Sequence, residues 1–372
     1  AMSITPLRYA VLITLATGLA ACNDGGGGGG SGDSGSSDPD FTRDVPEEDA
    51  EVKEDNADEV TDSSLKSADT IVGQGSSGGY GTPDTRAASG ASEGDSLVSS
   101  VRRFVETARE GASGPSTRAT SSDDLDCDSG SGTVTYTYPD DDDTTSEDMT
   151  SEGVEWTMDF DNCVWDETKY NGSWTLTFED DYELDTSEDY EDYEYSWKVE
   201  YDDYRAEEAD NDDLIWRAHG DMDLTFGRKT DDSEFASEQD ASYYIISGDS
   251  FYVAYDDEVA QNRDYRLEYR IGEESGDFLF AYDTQASTTG TGGWITVETT
   301  DKFEWSSGND PEEGELYIAS GRTDDPTEPT YVRLEAQHDG NVPQYWFNSG
   351  SDESDEGSPK DFKNWDELIS EL

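Results

Sequence analysis

The sequence predicts a mainly β protein: an antiparallel meander closed as a curled sheet, barrel-like or sandwich, with one preceding amphipathic helix and a short C-terminal helix. Three observations predict it. Apolar and polar residues alternate with period two through much of 127–347, and Gly, Asp, Asn and Ser separate the alternating runs. No helical pattern falls between those runs, so parallel crossovers have no material and the strands must be antiparallel.

The chain opens, over residues 1–21, with what reads as an export signal. Arg8 closes a weakly basic start, and Tyr9 to Leu19 is nearly free of polar side chains. The run is shorter than the roughly 20 apolar residues that a spanning helix needs, and it matches the apolar core of a signal peptide. It ends in Leu19-Ala20-Ala21-Cys22, which resembles the lipobox of bacterial lipoproteins. That resemblance implies a lipid on the Cys22 thiol. Asn23, standing where Asp would favour retention in the inner membrane, implies the outer membrane. A plain secretory signal is the competing reading; the flexible Gly25 to Gly30 tether that follows suits an anchor better. More than one acyl chain, at about 0.8 kcal/mol per buried methylene, makes such an anchor stable.

Residues 22–90 are rich in Gly, Ser, Asp and Glu, and are expected to form a lipidated, disordered, acidic spacer. Residues 91–123 hold the predicted amphipathic helix and a connector. Leu97, Val101, Phe104, Val105 and Ala108 share one face between about Ser96 and Glu110, with Asp95 or Ser96 as N-cap and Gly111 as stop. The β domain is expected over 124–348. Val154, Trp156, Met158 and Phe160 alternate with polar residues, as do Trp174, Leu176 and Phe178, then Tyr193, Tyr195, Trp197, Val199 and Tyr201. Met222, Leu224 and Phe226 follow the rule, and so do Tyr265, Leu267, Tyr269 and Ile271. Later strands are expected near 278–282, 294–299, 315–319 and 331–336. Asn171-Gly172 reads as a hairpin turn between two of them. Residues 349–372 form an acidic tail, in which Phe362, Trp365, Leu368 and Ile369 have the spacing of a short docking helix.

Ten or more alternating strands in one flat sheet would leave an apolar face uncovered, so the sheet must curl or fold over. Whether it becomes a barrel or a sandwich stays open. Once Cys22 is assigned to lipid, Cys127 and Cys163 are left as an even pair in an oxidising compartment, which reads as one disulfide.

The formal net charge is −68, from 91 acidic and 23 basic side chains. Self-repulsion on that scale disfavours a compact state in dilute buffer, and salt relieves it by shortening the screening length to about 3 Å at 1 M. The acidity runs along the whole chain, so a solvated halophilic surface is favoured over a calcium store. Nucleic acid is excluded as a partner, because phosphate binding needs basic clusters.

Cys127, Gly132-Thr133-Val134-Thr135, Phe160-Asp161-Asn162-Cys163 and Tyr170-Asn171-Gly172 resemble a pattern in uncharacterised outer-membrane lipoproteins of Gram-negative bacteria. The stretch from Trp294-Ile295-Thr296-Val297 through Pro311–Leu316 to Val332-Arg333-Leu334 is similar to the carboxyl-terminal part of the same group. The likeness spans 127–348. It implies a Cys-bridged β domain and an envelope location; its motifs are turns and a bridge, and it implies no activity.

Chemistry is sparse. His219 and His338 are isolated, neither lies near a Gly-x-Ser-x-Gly elbow, and close Cys spacing for zinc is lacking. Asp352, Ser354, Glu356 and Gly357 begin like a calcium loop, but Lys363 stands where a bidentate Glu is needed. The sequence therefore predicts no cofactor, no metal site and no catalytic residues. Trp156, Trp174, Tyr195, Trp197 and Tyr201 share a face, and they are either core or the wall of a ligand pocket. The expected function is a lipid-anchored envelope protein, not an enzyme, acting as a structural or interaction module. A carrier of a lipid or glycan in an aromatic-lined pocket is the alternative, and an envelope hydrolase the second. The expected partners are the membrane, through the N-terminal lipid, and an envelope protein, lipid or glycan.

Overall fold

The computed structural model describes residues 45–72, 120–139 (except 126), 151–180 (except 166–167), 193–272 (except 211–213, 235–238 and 256–257), 277–305, 313–337 (except 324–325 and 328–329), 341–348 and 361–364. Cys22 and the helix expected at 96–110 lie outside these residues, as do the candidate calcium loop and Trp365, Leu368 and Ile369.

Among the described residues, one helix, α1 (Ala57–Val72), precedes fourteen strands. They are β1 (Thr120–Asp124), β2 (Ser129–Thr137), β3 (Glu155–Trp165), β4 (Thr168–Phe178), β5 (Tyr193–Glu208), β6 (Leu214–Asp232) and β7 (Gln239–Tyr255). There follow β8 (Glu258–Gly272), β9 (Phe278–Thr288), β10 (Gly293–Trp305), β11 (Glu313–Ser320), β12 (Tyr331–Glu335), β13 (Asn341–Phe347) and β14 (Asp361–Asn364). They form a single antiparallel meander in strict chain order. The order ends at β1 and β14, which do not pair with each other, so the sheet curls without closing its ladder. The period-two reading of the sequence holds: Trp156, Met158 and Phe160 are buried while Glu155, Asp159 and Asp161 are exposed.

The helix shows how strongly the sheet curls. α1 touches β7, β8 and β9, and Gln344 Nε2 of β13 donates to Thr61 Oγ1 at 2.9 Å. Inward-facing residues at 2% exposure or less run from Val134 on β2 to Leu334 on β12, more surface than one 16-residue helix can cover, so the sheet must curl over itself and over α1.

A row of bulges accompanies this wrapping. Gly130, Asn162, Gly172, Asp203, Gly220 and Asp264 take φ values of 76, 51, 83, 48, 117 and 47°. They sit on β2, β3, β4, β5, β6 and β8, and register shifts fall beside them in ladder after ladder. Bulges bend a strand and raise its twist, and a line of them turns the whole sheet. Side chains on neighbouring strands complete the interrupted bonding: Asn162 N–H donates to Asn171 Oδ1 at 2.9 Å, and Asp249 N–H to Asp221 Oδ2 at 3.2 Å.

This row corrects one expectation. Asn171-Gly172 is not a hairpin turn but lies inside β4; the β3–β4 connection is at 166–167. The left-handed conformation that suits a tight turn serves a bulge here. The Gly172 α-carbon packs on the Asp203 backbone carbonyl, where a Cβ would collide.

Two further expectations are corrected. The stretch 22–90 was expected to be spacer throughout, yet Val45 to Val52 cross the sheet as a strap and α1 is packed in the hollow. Ala57, Val60, Leu65, Ala68 and Ile71 join the main core at 7% exposure or less. Thr61, Ser64 and Ser67 are buried beside them, and the three hydroxyls donate to helix carbonyls at 2.6–2.8 Å. A face built half of hydroxyls and alanine carries too little hydrophobicity to look like core, although its 3-4 spacing is intact. At the other end, Phe362 lies in β14, paired with Pro343 of β13, and not in a helix. The free edge of β13 offered backbone partners that spacing alone does not reveal.

The Cys127–Cys163 disulfide joins the approach to β2 to the bulged end of β3, with Cα atoms 5.4 Å apart. It closes a 36-residue separation, for which the chain-entropy account gives about 3–4 kcal/mol.

Gly172→Ala is expected to destabilise the protein by about 1–3 kcal/mol through its positive φ and the Asp203 clash, read as a lowered denaturant midpoint with unchanged slope. Ile71→Ala is expected to cost about 2–5 kcal/mol; a variant as stable as the parent would show that α1 is not part of the core.

Candidate functional site

Two regions of the described residues combine burial with chemistry. The first is the hollow. Of the predicted pocket residues, Trp156 and Trp174 are at most 1% exposed, Tyr201 is 3% and Trp197 is 8%, while Tyr195 is half-buried. They pack on aromatic neighbours. Trp156 meets Tyr136 and Phe178 edge-on at 5.5 and 5.4 Å, Trp197 meets Phe226 at 4.8 Å, and Tyr201 meets Phe251 at 6.0 Å. Edge-to-face pairs of this kind are how aromatic cores fill space. The structure thus brings the five residues onto one aromatic face.

Polar groups gather next to α1. Tyr282 Oη donates to Asn262 Oδ1 at 2.9 Å and lies 2.8 Å from Ser67 Oγ, whose single proton it shares with the Ser64 carbonyl. Thr284 Oγ1 also reaches Asn262 Oδ1, at 3.3 Å. Burial pushes the Tyr282, Tyr265 and Tyr201 phenols well above their ordinary range, so all three stay protonated donors. Tyr201 Oη, Asn262 Nδ2 and Gln344 Oε1 are buried without a hydrogen-bond partner among the described residues.

The second region lies on the opposite face of β6–β10. Arg266, Glu268 and Arg270 alternate along β8 with Tyr265, Leu267 and Tyr269, which face the core. Glu268 is 2% exposed and accepts from three cations: Arg266 at 2.6 Å, Arg270 at 2.7 Å and Lys302 at 3.0 Å. Arg270 also holds the fully buried Asp232 at 2.6 Å, and Lys302 holds Glu234 at 2.7 Å. The β6–β7 connection is thereby pinned to β8 and β10. Burial alone would raise the Glu268 carboxyl; the hydrogen bonds from Arg270, Arg266 and Lys302 overcome it and hold the group at about 2. Asp283 differs: burial raises it, against a backbone N–H from Thr299 that lowers it.

Further along the same strands, toward the β7–β8 and β9–β10 turns, two guanidiniums meet one indole. Arg263 of β8 lies 4.4 Å from the Trp294 ring centroid, and Arg322, just after β11, lies 5.4 Å from it. The strap fastens the same residue: Trp294 N–H donates to the Glu48 carbonyl at 2.9 Å, and Ala50 N–H donates to the Trp294 carbonyl at 2.8 Å. Sequence reasoning passed over these residues. The available signal was the density of Arg263, Arg266 and Arg270 in one short stretch of a chain so poor in basic residues.

His219 sits on the bulge of β5, where Asp203 N–H donates to its Nδ1 at 3.5 Å; Asp202 Oδ1 is 3.7 Å away. Among the described residues, no group of three or more His, Cys, Asp or Glu is placed to hold a metal ion. No helix among them is long and apolar enough to cross a membrane. Comparison with protein-family models, curated proteins and solved structures finds no match in any of the three.

Because the Glu268 carboxyl is depressed from 4.5 to about 2, its contribution is full above about pH 4.5 and is lost as the pH falls toward 2. Glu268→Gln is expected to cost about 3 kcal/mol at neutral pH, with the gap to the parent shrinking through that window. Thermal unfolding of both proteins across the range checks it; a pH-independent gap would rule out the charge as the cause.

Proposed function

We propose that this chain is a lipid-anchored protein of the cell envelope, of the outer-membrane type, whose β domain is a non-catalytic structural or interaction module. The observation that carries the reading is a pairing of two features. Leu19-Ala20-Ala21-Cys22 has the form of a lipoprotein cleavage and acylation site, and Cys127 and Cys163 are joined in a disulfide. Disulfides form and persist outside the reducing cytosol, where export followed by acylation would deliver the domain. The net charge of −68 supports a halophilic setting, in which salt screens the repulsion.

The module reading is supported by the interior. The aromatic face is packed on itself, and the large ionic cluster is a set of mutually satisfied pairs that pin one hairpin. The carrier reading keeps one specific support: Tyr201 Oη, Asn262 Nδ2 and Gln344 Oε1 are buried polar atoms with bonding capacity to spare, as a polar-headed guest would require.

Labelled fatty acid is expected to enter the wild-type protein and to be absent from Cys22→Ser, with the membrane fraction losing the variant. Wild-type protein that takes up no label would remove the compartment argument. Mass spectrometry of molecules copurified in molar salt separates the two readings: a single recovered lipid or glycan class replaces the module with a carrier.

A further inference from the structure

We propose that Arg263 and Arg322, held on the Trp294 indole, form a binding site for a phosphate group at the end of the sheet where the chain arrives from its amino-terminal tether.

The site stands out against the rest of the molecule. In a chain with 91 acidic and 23 basic side chains, a guanidinium has every opportunity to find a carboxylate. Arg263 has none among the described residues, and its recorded side-chain contact is the face of Trp294. Arg322 reaches the same ring, at 5.4 Å against 4.4 Å for Arg263, so the two guanidinium carbons lie within 9.8 Å of each other. The carboxylate that Arg322 engages is Asp49, at 3.3 Å, and both side chains are substantially exposed, at 42% and 56%. An exposed pair of that kind is weak, so an incoming oxyanion can share or displace it.

The geometry is prepared. Stacking on an indole fixes the plane of a guanidinium, and a fixed planar fork is what bidentate phosphate recognition needs. Trp294 is 2% exposed, and its backbone is held: the strap bonds both its N–H and its carbonyl, and Gly321 N–H adds a third bond at 3.0 Å. Arg322 follows directly on Gly321, so the same hydrogen bond positions the second arginine.

Position suggests the source of the phosphate. Trp294 is the second residue of β10, Arg322 comes two residues after β11 ends, and the strap that precedes α1 passes between them. All lie at the sheet end marked by the β7–β8 and β9–β10 turns. If the chain is tethered at Cys22, that end faces the membrane and its phosphodiester headgroups. This assignment of source rests on the lipid-anchor reading; the site itself does not.

The test uses the full chain carrying Cys22→Ser, so that no acyl chain drives binding, in a salt that gives the full β signal by circular dichroism. Cosedimentation with phosphatidylglycerol vesicles is compared with neutral phosphatidylcholine vesicles, and a titration with inorganic phosphate follows Trp fluorescence. Binding to the anionic vesicles, weakened about tenfold by Arg322→Gln and by Arg263→Gln, supports the site with a headgroup as ligand. A saturable phosphate response lost in both variants, without vesicle binding, supports it with a free phosphate as ligand. Arg322→Gln alters an exposed side chain and keeps the test interpretable should Arg263→Gln fail to fold. Neither response in the parent, or responses unchanged in Arg322→Gln, overturns the proposal. Fatty-acid labelling of the unmodified chain reports separately on the anchor.

Discussion

The single antiparallel meander formed by the fourteen described strands has one apolar face too wide for any single partner to cover, and this constraint organises the molecule. The sheet meets it by wrapping onto itself. Left-handed residues on successive strands create the bend, and they fall at matching heights because each bulge interrupts the ladder shared with its neighbour. Gly172 shows the economy of the device. It lets one strand accept the bulged carbonyl of the next, while Asn171 beside it bonds the N–H left over from the strand before. The Cys127–Cys163 bridge ties down the start of this row.

Once wrapped, the sheet leaves a core that is aromatic on β2–β5 and partly polar where α1 enters. A helix with serine and threonine on its inner face is tolerated because those hydroxyls bond the helix's own carbonyls. Two of the three, Ser67 and Thr61, are also shared with the sheet, through Tyr282 and Gln344. The buried polar groups thus avoid most of the cost of desolvation. The helix is held by shape, by Leu65, Ala68 and Ile71, and by those two long-range bonds.

The opposite face handles charge. An acidic chain cannot bury carboxylates singly, so Asp232 and Glu268 are buried only where Arg266, Arg270 and Lys302 converge on them. The scarce cations are therefore concentrated. Breaking such a set leaves an unpaired buried ion, which costs more than the set contributes when whole. Its clear role here is to hold the β6–β7 connection against β8 and β10. Arg263 and Arg322 are the exception, spent on an indole and, for Arg322, on one exposed carboxylate.

The fold class, the positions of most strands, the buried face of each and the cystine were legible in the sequence. Strand alternation and cysteine parity are local signals that need no knowledge of neighbours. The pocket residues Trp156, Trp174, Trp197 and Tyr201 were legible as one face, but only packing could turn that face into core. What the sequence could not decide depended on partners far along the chain. Gly172 needs a left-handed conformation in a turn or a bulge alike, and its neighbour on β5 makes it a bulge. The helix 57–72 is polar by composition and becomes core only because the sheet encloses it. Phe362 has helical spacing, yet the open edge of β13 recruits it as a strand. The arginines on Trp294 come from β8 and from beyond β11, and only the meander and its strap bring them to one ring.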